Sequence, residues 1–484
     1  MKFVKKYWFL ILGLVFFLFL SYFHLGADPL FDWDEGIYGQ VGRELKPPVW
    51  DLTWNSELWF EKPPLVPLLV KLGFILTPDL ELGARLFMPL FGVLVIIYVY
   101  LLIEKFLLSK IANYSVIFFL LAPLFLSRSR MLNTDIILLV SLTAVIYYLL
   151  IFKEHLRKDQ CSWSDYFKIV IASTLGFYSK GIIAALPWGI WFLYLLIFER
   201  DLLTEYWRQW LYLAVVIFVG FAPWHVYMTI KYGKDFWQVY LIEQVFVRTY
   251  KPIEYHFGGW LYYVKFLIEN LRWVLLISFF GGVSFLRCFL KTKNKLFWLL
   301  LVWGGLVLGL FTLAKTKLFW YILPLYPVLA ILFACFGRYL RKAYWPCLVL
   351  MVVWVALFNY PKFSQPVSPL NARNFIAESA NDECEGEQML VLVNASERRS
   401  KEILPKELQL SSSFIYGGAP SIVFYYDNRI KFFYQIEEFK EEWQKTEAHI
   451  CAMIDKDDRR NLDIKSEPII QKESWQLIKR IPPK

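Results

Sequence analysis

Histidine and cysteine are scarce in this chain, at five and six residues among 484. No two cysteines form a Cys-x-x-Cys pair or take zinc-ligand spacing, which excludes a zinc ribbon and a thioredoxin-type motif. The histidines are scattered, with no His-Glu-x-x-His. Gly-x-x-x-x-Gly-Lys-Ser/Thr and a strand-borne Gly-x-Gly-x-x-Gly are both missing, so nucleotide hydrolysis and dinucleotide chemistry lack their phosphate cradles. Charged residues make up only 19% of the chain. No repeat of one half in the other is visible, which argues against the repeat-built transporters.

Apolar residues, by contrast, reach 57%, above the roughly half of soluble domains. They fall in near-continuous runs from Trp8 to Phe358. Because about 20 apolar residues span a bilayer core as a helix, spans are expected at 8–25, 86–103, 111–126, 133–152, 167–178, 182–198, 211–228, 264–286, 296–313, 318–336 and 345–358. The expected fold is an all-α polytopic membrane domain of 11 to 13 spanning helices, residues 1–360. A small soluble α/β domain, 361–484, follows. Within it Gln388–Val393 and Ile430–Tyr434 read as strands and Glu437–Thr446 as helix. Lys2, Lys5 and Lys6 precede the first run and no small-x-small site follows it, so an uncleaved signal anchor is expected.

With the N terminus inside, the segments 1–7, 104–110, 153–168, 199–210, 287–295 and 337–343 hold 18 Lys and Arg in 58 positions. The opposite loops 25–85, 127–132, 179–180, 229–272 and 314–317 hold 16 in 117. That bias puts the former in the cytoplasm and, after an odd number of spans, the C-terminal domain outside. The net charge of +10 is thereby a topological signal, and no nucleic-acid partner is expected. Cys384 and Cys451 alone share the outside domain, where a disulfide is permitted.

Two long external loops, 26–85 and 229–263, exceed what compact connections need. The first carries Asp34-Glu35 beside aromatic residues. If 33–45 is a surface helix, Asp34 and Tyr38 share a face at four-residue spacing. An isolated acidic pair is ordinarily a solvated helix start, but this one sits where the chain leaves the bilayer. Further on, Trp59-Phe60-Glu61-Lys62 meets Pro63-Pro64, which fix the backbone and hold Lys62 at the outer surface. Arg128 stands near Asp135, Lys180 sits in a tight turn, Arg248 follows Glu243, and Lys315 and Lys317 lead into Tyr321. Basic residues on every external hairpin point to an anionic ligand such as a phosphate. His225 and His256 with Glu61 are the one set that a divalent metal would use, and their dispersion argues against a metal site.

These motifs, Asp34-Glu35-x-x-Tyr38, Glu61-Lys62-Pro63-Pro64-Leu65, Ser179-Lys180-Gly181, Pro223-Trp224-His225 and Lys315-x-Lys317-x-x-Trp320-Tyr321-x-x-Pro324-x-Tyr326-Pro327, resemble the polyprenyl-phosphate-sugar-dependent glycosyltransferases of the GT-C membrane fold. That branch includes lipid A aminoarabinose transferase and the protein O-mannosyltransferases. Ala419–Tyr426 is similar to a segment of the family's C-terminal domain. The resemblance implies a bacterial inner-membrane enzyme working on the periplasmic face. Its reaction is an inverting transfer of a sugar from a polyprenyl phosphate to a lipid A, glycan or protein acceptor, with no cofactor required. It implies Asp34 as base, assisted by Glu35, and Lys62 as phosphate ligand, with Arg248 and Tyr321 as further phosphate ligands. Tyr38, Trp59, Glu61, Arg128, Asp135, Lys180, Lys315 and Lys317 complete the expected substrate-binding set. The chain departs from the family at Trp59, where Tyr is frequent, and at Gly36-Ile37, where Ala-Arg is frequent. A transporter of lipid-linked sugars is the other reading; it calls for charges near mid-span rather than an acid beside an external phosphate site.

Overall fold

A chain in hydrocarbon must satisfy its backbone N–H and C=O groups internally, so apolar runs become helices. The computed structural model describes residues 2–251, 256–292, 295–337, 371–384, 388–403, 415–445 and 451–480. Helix α1 (Lys2–Tyr22) leads into the first long loop, which is itself largely structured. It contains α2 (Asp34–Glu44), the short hairpin β1 (Thr53–Trp54) and β2 (Glu57–Leu58), α3 (Leu65–Leu76) and α4 (Leu80–Arg85). The bundle continues with α5 (Met88–Phe106), α6 (Ala112–Leu120), α7 (Pro123–Arg128), α8 (Asp135–Arg157), α9 (Trp163–Lys180), α10 (Leu186–Phe198), α11 (Arg200–Glu205) and α12 (Trp207–Trp237). After it come α13 (Arg248–Tyr250), α14 (Tyr262–Leu271), α15 (Trp273–Thr292), α16 (Leu296–Leu313) and α17 (Tyr326–Phe336).

Among the described residues six helical stretches are long and apolar enough to cross a membrane, or seven if α14 and α15, bent by 107°, form one span. The protein is a multi-pass membrane protein. The expected spans divide the same apolar length more finely. The stretch Trp163–Phe198 passes as one, yet α9 and α10 within it are separated by a 3₁₀ turn, Gly181–Ala185. Expected span 111–126 is broken before Pro123 into α6 and α7, because proline cannot donate its N–H and clashes with the preceding turn. Expected span 345–358 lies outside the described residues. Leu211, Val215, Phe218 and Val219 of α12 are each more than half exposed, an outward apolar face that only lipid would cover.

The second long loop, 229–263, is mostly helix rather than irregular. Helix α12 runs through it to Trp237, with a kink at Gly233 (φ 51°), and continues as a π-helix, Gln238–Val247. The soluble part holds a five-stranded sheet in the order β4 (Ile430–Phe433), β3 (Met389–Leu392), β5 (Cys451–Asp455), β7 (Trp475–Arg480), β6 (Ser466–Lys472). Strands β4, β3 and β5 are parallel, and β7 joins antiparallel to both β5 and β6. The disulfide Cys384–Cys451 ties helix Ala372–Glu383 to the start of β5, as the cysteine placement predicted.

This domain docks on the 26–85 segment. Tyr425 Oη accepts from Leu30 N–H at 2.9 Å and donates to Glu81 at 2.9 Å. Asn55 exchanges two hydrogen bonds with the backbone of Ile430, at 2.7 and 2.9 Å. Ser421 donates to Asp32. A Cβ on Gly36 would lie 2.7 Å from the Ser421 Cα, which accounts for the departure at Gly36. Helix α2 and the 419–426 segment touch there, and only glycine leaves room.

Candidate active site

Helix α2 decides which acid meets the cavity. Consecutive residues on a helix are about 100° apart around its axis, so Asp34 and Glu35 face different surroundings. Glu35 is fully buried and takes two bonds from Arg85, Nε at 2.9 Å and Nη2 at 2.7 Å. Its carboxylate also accepts from the N–H groups of Leu132 at 2.7 Å and Phe31 at 3.0 Å. The catalytic expectation for Glu35 is therefore corrected: it locks the loop start through Arg85, which also donates to the carbonyls of Leu25, Asp28 and Pro29.

Asp34 instead lines a cavity with Tyr38, Glu61, Lys62, Asp135, Lys180, Arg248 and Tyr321. These eight expected residues come from five separate stretches of the chain. Asp34 keeps 40% of its side-chain surface open, and Arg128 Nη1 stands 3.9 Å from its Oδ2. The surrounding protein pushes the Asp34 carboxyl up through desolvation; Arg128 opposes this and Asp135 reinforces it. Lys180 pairs with Asp135, and its Nζ lies 5.5 Å above the Tyr321 ring. Gly181 follows at φ 67°, where a Cβ would strike the Tyr240 hydroxyl. Lys62 donates to Gln244 Oε1 at 2.7 Å. Burial lowers Lys62 to about 8; Glu61 counters, while Arg248 and Lys180 add to the lowering.

Four further expectations are corrected. Trp59 is buried away from the cavity and donates its indole N–H to Tyr416 at 2.8 Å. Lys317 is also buried, its ammonium capping the carbonyls of Phe311, Thr312 and Ala314 at 3.1, 2.6 and 2.6 Å. Lys315 is exposed and outside the cavity lining. Its segment acts through the backbone: Lys315 and Thr316 N–H groups bond the carbonyls of Thr249 and Arg248, fixing the stretch that carries Arg248. Arg128 sits behind the lining, with its guanidinium 4.0 Å over the Trp320 ring, and reaches the site through Asp34.

The set His225, His256 and Glu61 does not gather. His225 bonds the Tyr240 hydroxyl at 2.8 Å, and no group of three metal-ligating side chains occurs among the described residues. Gln244, Tyr240 and Thr134 line the cavity without having been singled out in the sequence, and Trp320, quoted there only as part of a motif, lines it too. Tyr240, Gln244 and Arg248 stand four apart, a helical signal hidden by the reading of 229–263 as loop.

Residues 61–227 match the model of the dolichyl-phosphate-mannose-protein mannosyltransferase family. The structure is similar to ArnT from Cupriavidus metallidurans bound to undecaprenyl phosphate: TM-score 0.71, 17% identity, 98% of each chain covered. This chain has the GT-C fold. It is also similar to the oligosaccharyltransferase AglB of Archaeoglobus fulgidus in complex with an inhibitory peptide and a dolichol-phosphate, with a TM-score of 0.56 and 14% identity over 94% of this chain and 70% of that one. In sequence, an uncharacterized protein of Aquifex aeolicus (strain VF5) is 28% identical over 384 residues, covering 76% of this chain and 72% of that protein. These likenesses agree with the resemblance read from the motifs.

Proposed function

We propose that this protein is an inverting glycosyltransferase that moves a sugar from a polyprenyl phosphate to a lipid A, glycan or protein acceptor outside the cytoplasm. The observation that carries the reading is the gathering of Lys62, Lys180 and Arg248 around one cavity that also holds the partly open carboxylate of Asp34. The family match over 61–227 and the GT-C fold support it.

In this reading the acceptor hydroxyl gives its proton to Asp34 as its oxygen attacks the anomeric carbon. The bond from that carbon to the phosphate oxygen breaks on the opposite face, so the configuration inverts. The polyprenyl phosphate leaves with one more negative charge, which fixed cations stabilise more in the transition state than in the ground state. Apolar lining by Leu138, Ile182, Ile183 and Val245 supplies a surface for the first isoprene units. An acceptor that is itself a phosphate arrives ionised, and Asp34 then orients it.

The test is transfer of labelled sugar from undecaprenyl-phosphate donors by the purified protein in detergent. Asp34→Asn should lower turnover about 100-fold or more with donor binding retained. Lys62→Ala should weaken both binding and turnover. Transfer should persist in excess EDTA. Near-normal transfer to a hydroxyl acceptor by Asp34→Asn removes Asp34 as base, and loss in EDTA with rescue by a divalent ion overturns the cation-only leaving-group site.

A further inference from the structure

Tyr416 belongs to the C-terminal domain, yet its hydroxyl reaches the cavity wall. It accepts the Trp59 indole N–H at 2.8 Å and lies 2.8 Å from Glu61 Oε1. An indole nitrogen is a donor only, so the single phenolic proton must point at Glu61. The bond chain therefore has one direction, from Trp59 through Tyr416 to the Glu61 carboxylate. Every member is held: Trp59 and Tyr416 are each 2% exposed, and the Tyr416 ring sits edge-on to Trp54 at 4.8 Å. Among the cavity's acids, Asp34 stands near Arg128, Asp135 pairs with Lys180, and Glu61 favours the charge of its neighbour Lys62. The phenol, being neutral, fixes the direction of Glu61 without adding a charge to the site.

We propose that Tyr416 is a positioning residue that aims the Glu61 carboxylate at the sugar of the donor, where it accepts hydrogen bonds from ring hydroxyls. The inference rests on the glycosyltransferase reading and assigns the C-terminal domain a part in sugar recognition. The division of labour follows from charge. Lys62, Lys180 and Arg248 take the phosphate, which every polyprenyl-phosphate donor shares. Glu61 takes hydroxyls, which only the sugar-linked lipid has.

Affinities of the full-length protein are measured for undecaprenyl phosphate and for undecaprenyl-phosphate mannose, glucose and arabinose. The wild type should prefer at least one sugar-linked lipid over the bare phosphate. Tyr416→Phe keeps the ring and deletes the hydroxyl; it should lose that preference about tenfold while bare-phosphate affinity stays within about twofold, which also reports a folded protein. Glu61→Gln should lose as much, and the double variant no more than either. Trp59→Phe, which frees the phenol, should fall in between. Retained preference in Tyr416→Phe, equal loss of both lipids, additive losses, or no preference in the wild type would each overturn the proposal. Because these are binding measurements, absence of label transfer by the wild type would count against the transferase reading alone.

Discussion

At Asp34 and Lys62 the same surroundings act with opposite sign. Desolvation disfavours charge, so it raises the carboxyl and lowers the ammonium. Asp34 works as a base only above its raised value, so activity climbs with pH through it. Burial brings Lys62 down to about 8, so it loses its charge as pH rises through that region and phosphate binding weakens. The expected profile of kcat/KM is a bell whose alkaline limb lies near 8. Once donor phosphate is bound, its charge favours the ammonium, so the limb in kcat should move higher. A profile of kcat/KM flat to about pH 10 contradicts this role for Lys62. Glu35 makes a different prediction. Its pair with Arg85 is almost fully buried, at 0% and 4% side-chain exposure. Glu35→Ala leaves that guanidinium unpaired and should destabilise by about 3–5 kcal/mol, read as a lowered melting temperature in detergent. An unchanged melt with lost turnover would return Glu35 to the chemistry. Lys62 was legible in the sequence because Pro63-Pro64 pin it. Glu35 and Trp59 were misread because adjacency in sequence does not report the side of a helix or hairpin on which a group lies.

Elements were legible where their period and punctuation were local. Helix α2 was expected at 33–45 and spans Asp34–Glu44, with the Asp34–Tyr38 face turned to the cavity. Strands β3 and β4 stood out because both are short apolar runs. Strand β6, at the sheet edge, has only exposed or half-buried positions and no clear alternation, while β7, inside the sheet, mixes polar and basic residues into a mostly buried run. The π-helix Gln238–Val247 escaped because its wider turn breaks the 3.6-residue period, as π segments at functional sites do. Docking of α2 on the C-terminal domain was legible only as an unexplained glycine. Its prediction is specific: Gly36→Val places carbon 2.7 Å or closer to the Ser421 backbone, and overpacking of this kind costs about 1–3 kcal/mol. Limited trypsin digestion should then release the C-terminal domain faster than from wild type. Equal rates would mean that the contact is not holding the two together.

The whole molecule tests the sequence's assignment of loops to sides. Segments placed outside by the basic-residue count, 25–85, 127–132, 179–180, 229–272 and 314–317, are the ones that converge on the cavity: Asp34, Arg128, Lys180 and Arg248 each come from a different one of them. Segments placed inside converge elsewhere. Glu199, 1% exposed, pairs with Lys153 at 2.8 Å, Arg157 at 2.5 Å and Lys295 at 3.5 Å, which joins 153–168, 199–210 and 287–295 at one end of the bundle. Two ends thus emerge from contacts alone, and they sort the loops as the alternation does. Contacts do not say which end faces the cytoplasm; the excess of Lys and Arg at the Glu199 end is the ground for expecting that end inside. The C-terminal domain docks on the 26–85 segment through Tyr425, Asn55 and Ser421, so it must share the cavity's side. A fusion of alkaline phosphatase after Lys484 should therefore be active and one of green fluorescent protein dark, whereas fusions within 199–210 should show the reverse. If the C-terminal fusion fluoresces, the cavity lies on the cytoplasmic side and the acceptor must be sought there. If the two fusion sites behave alike, the sorting of loops into two ends is itself wrong.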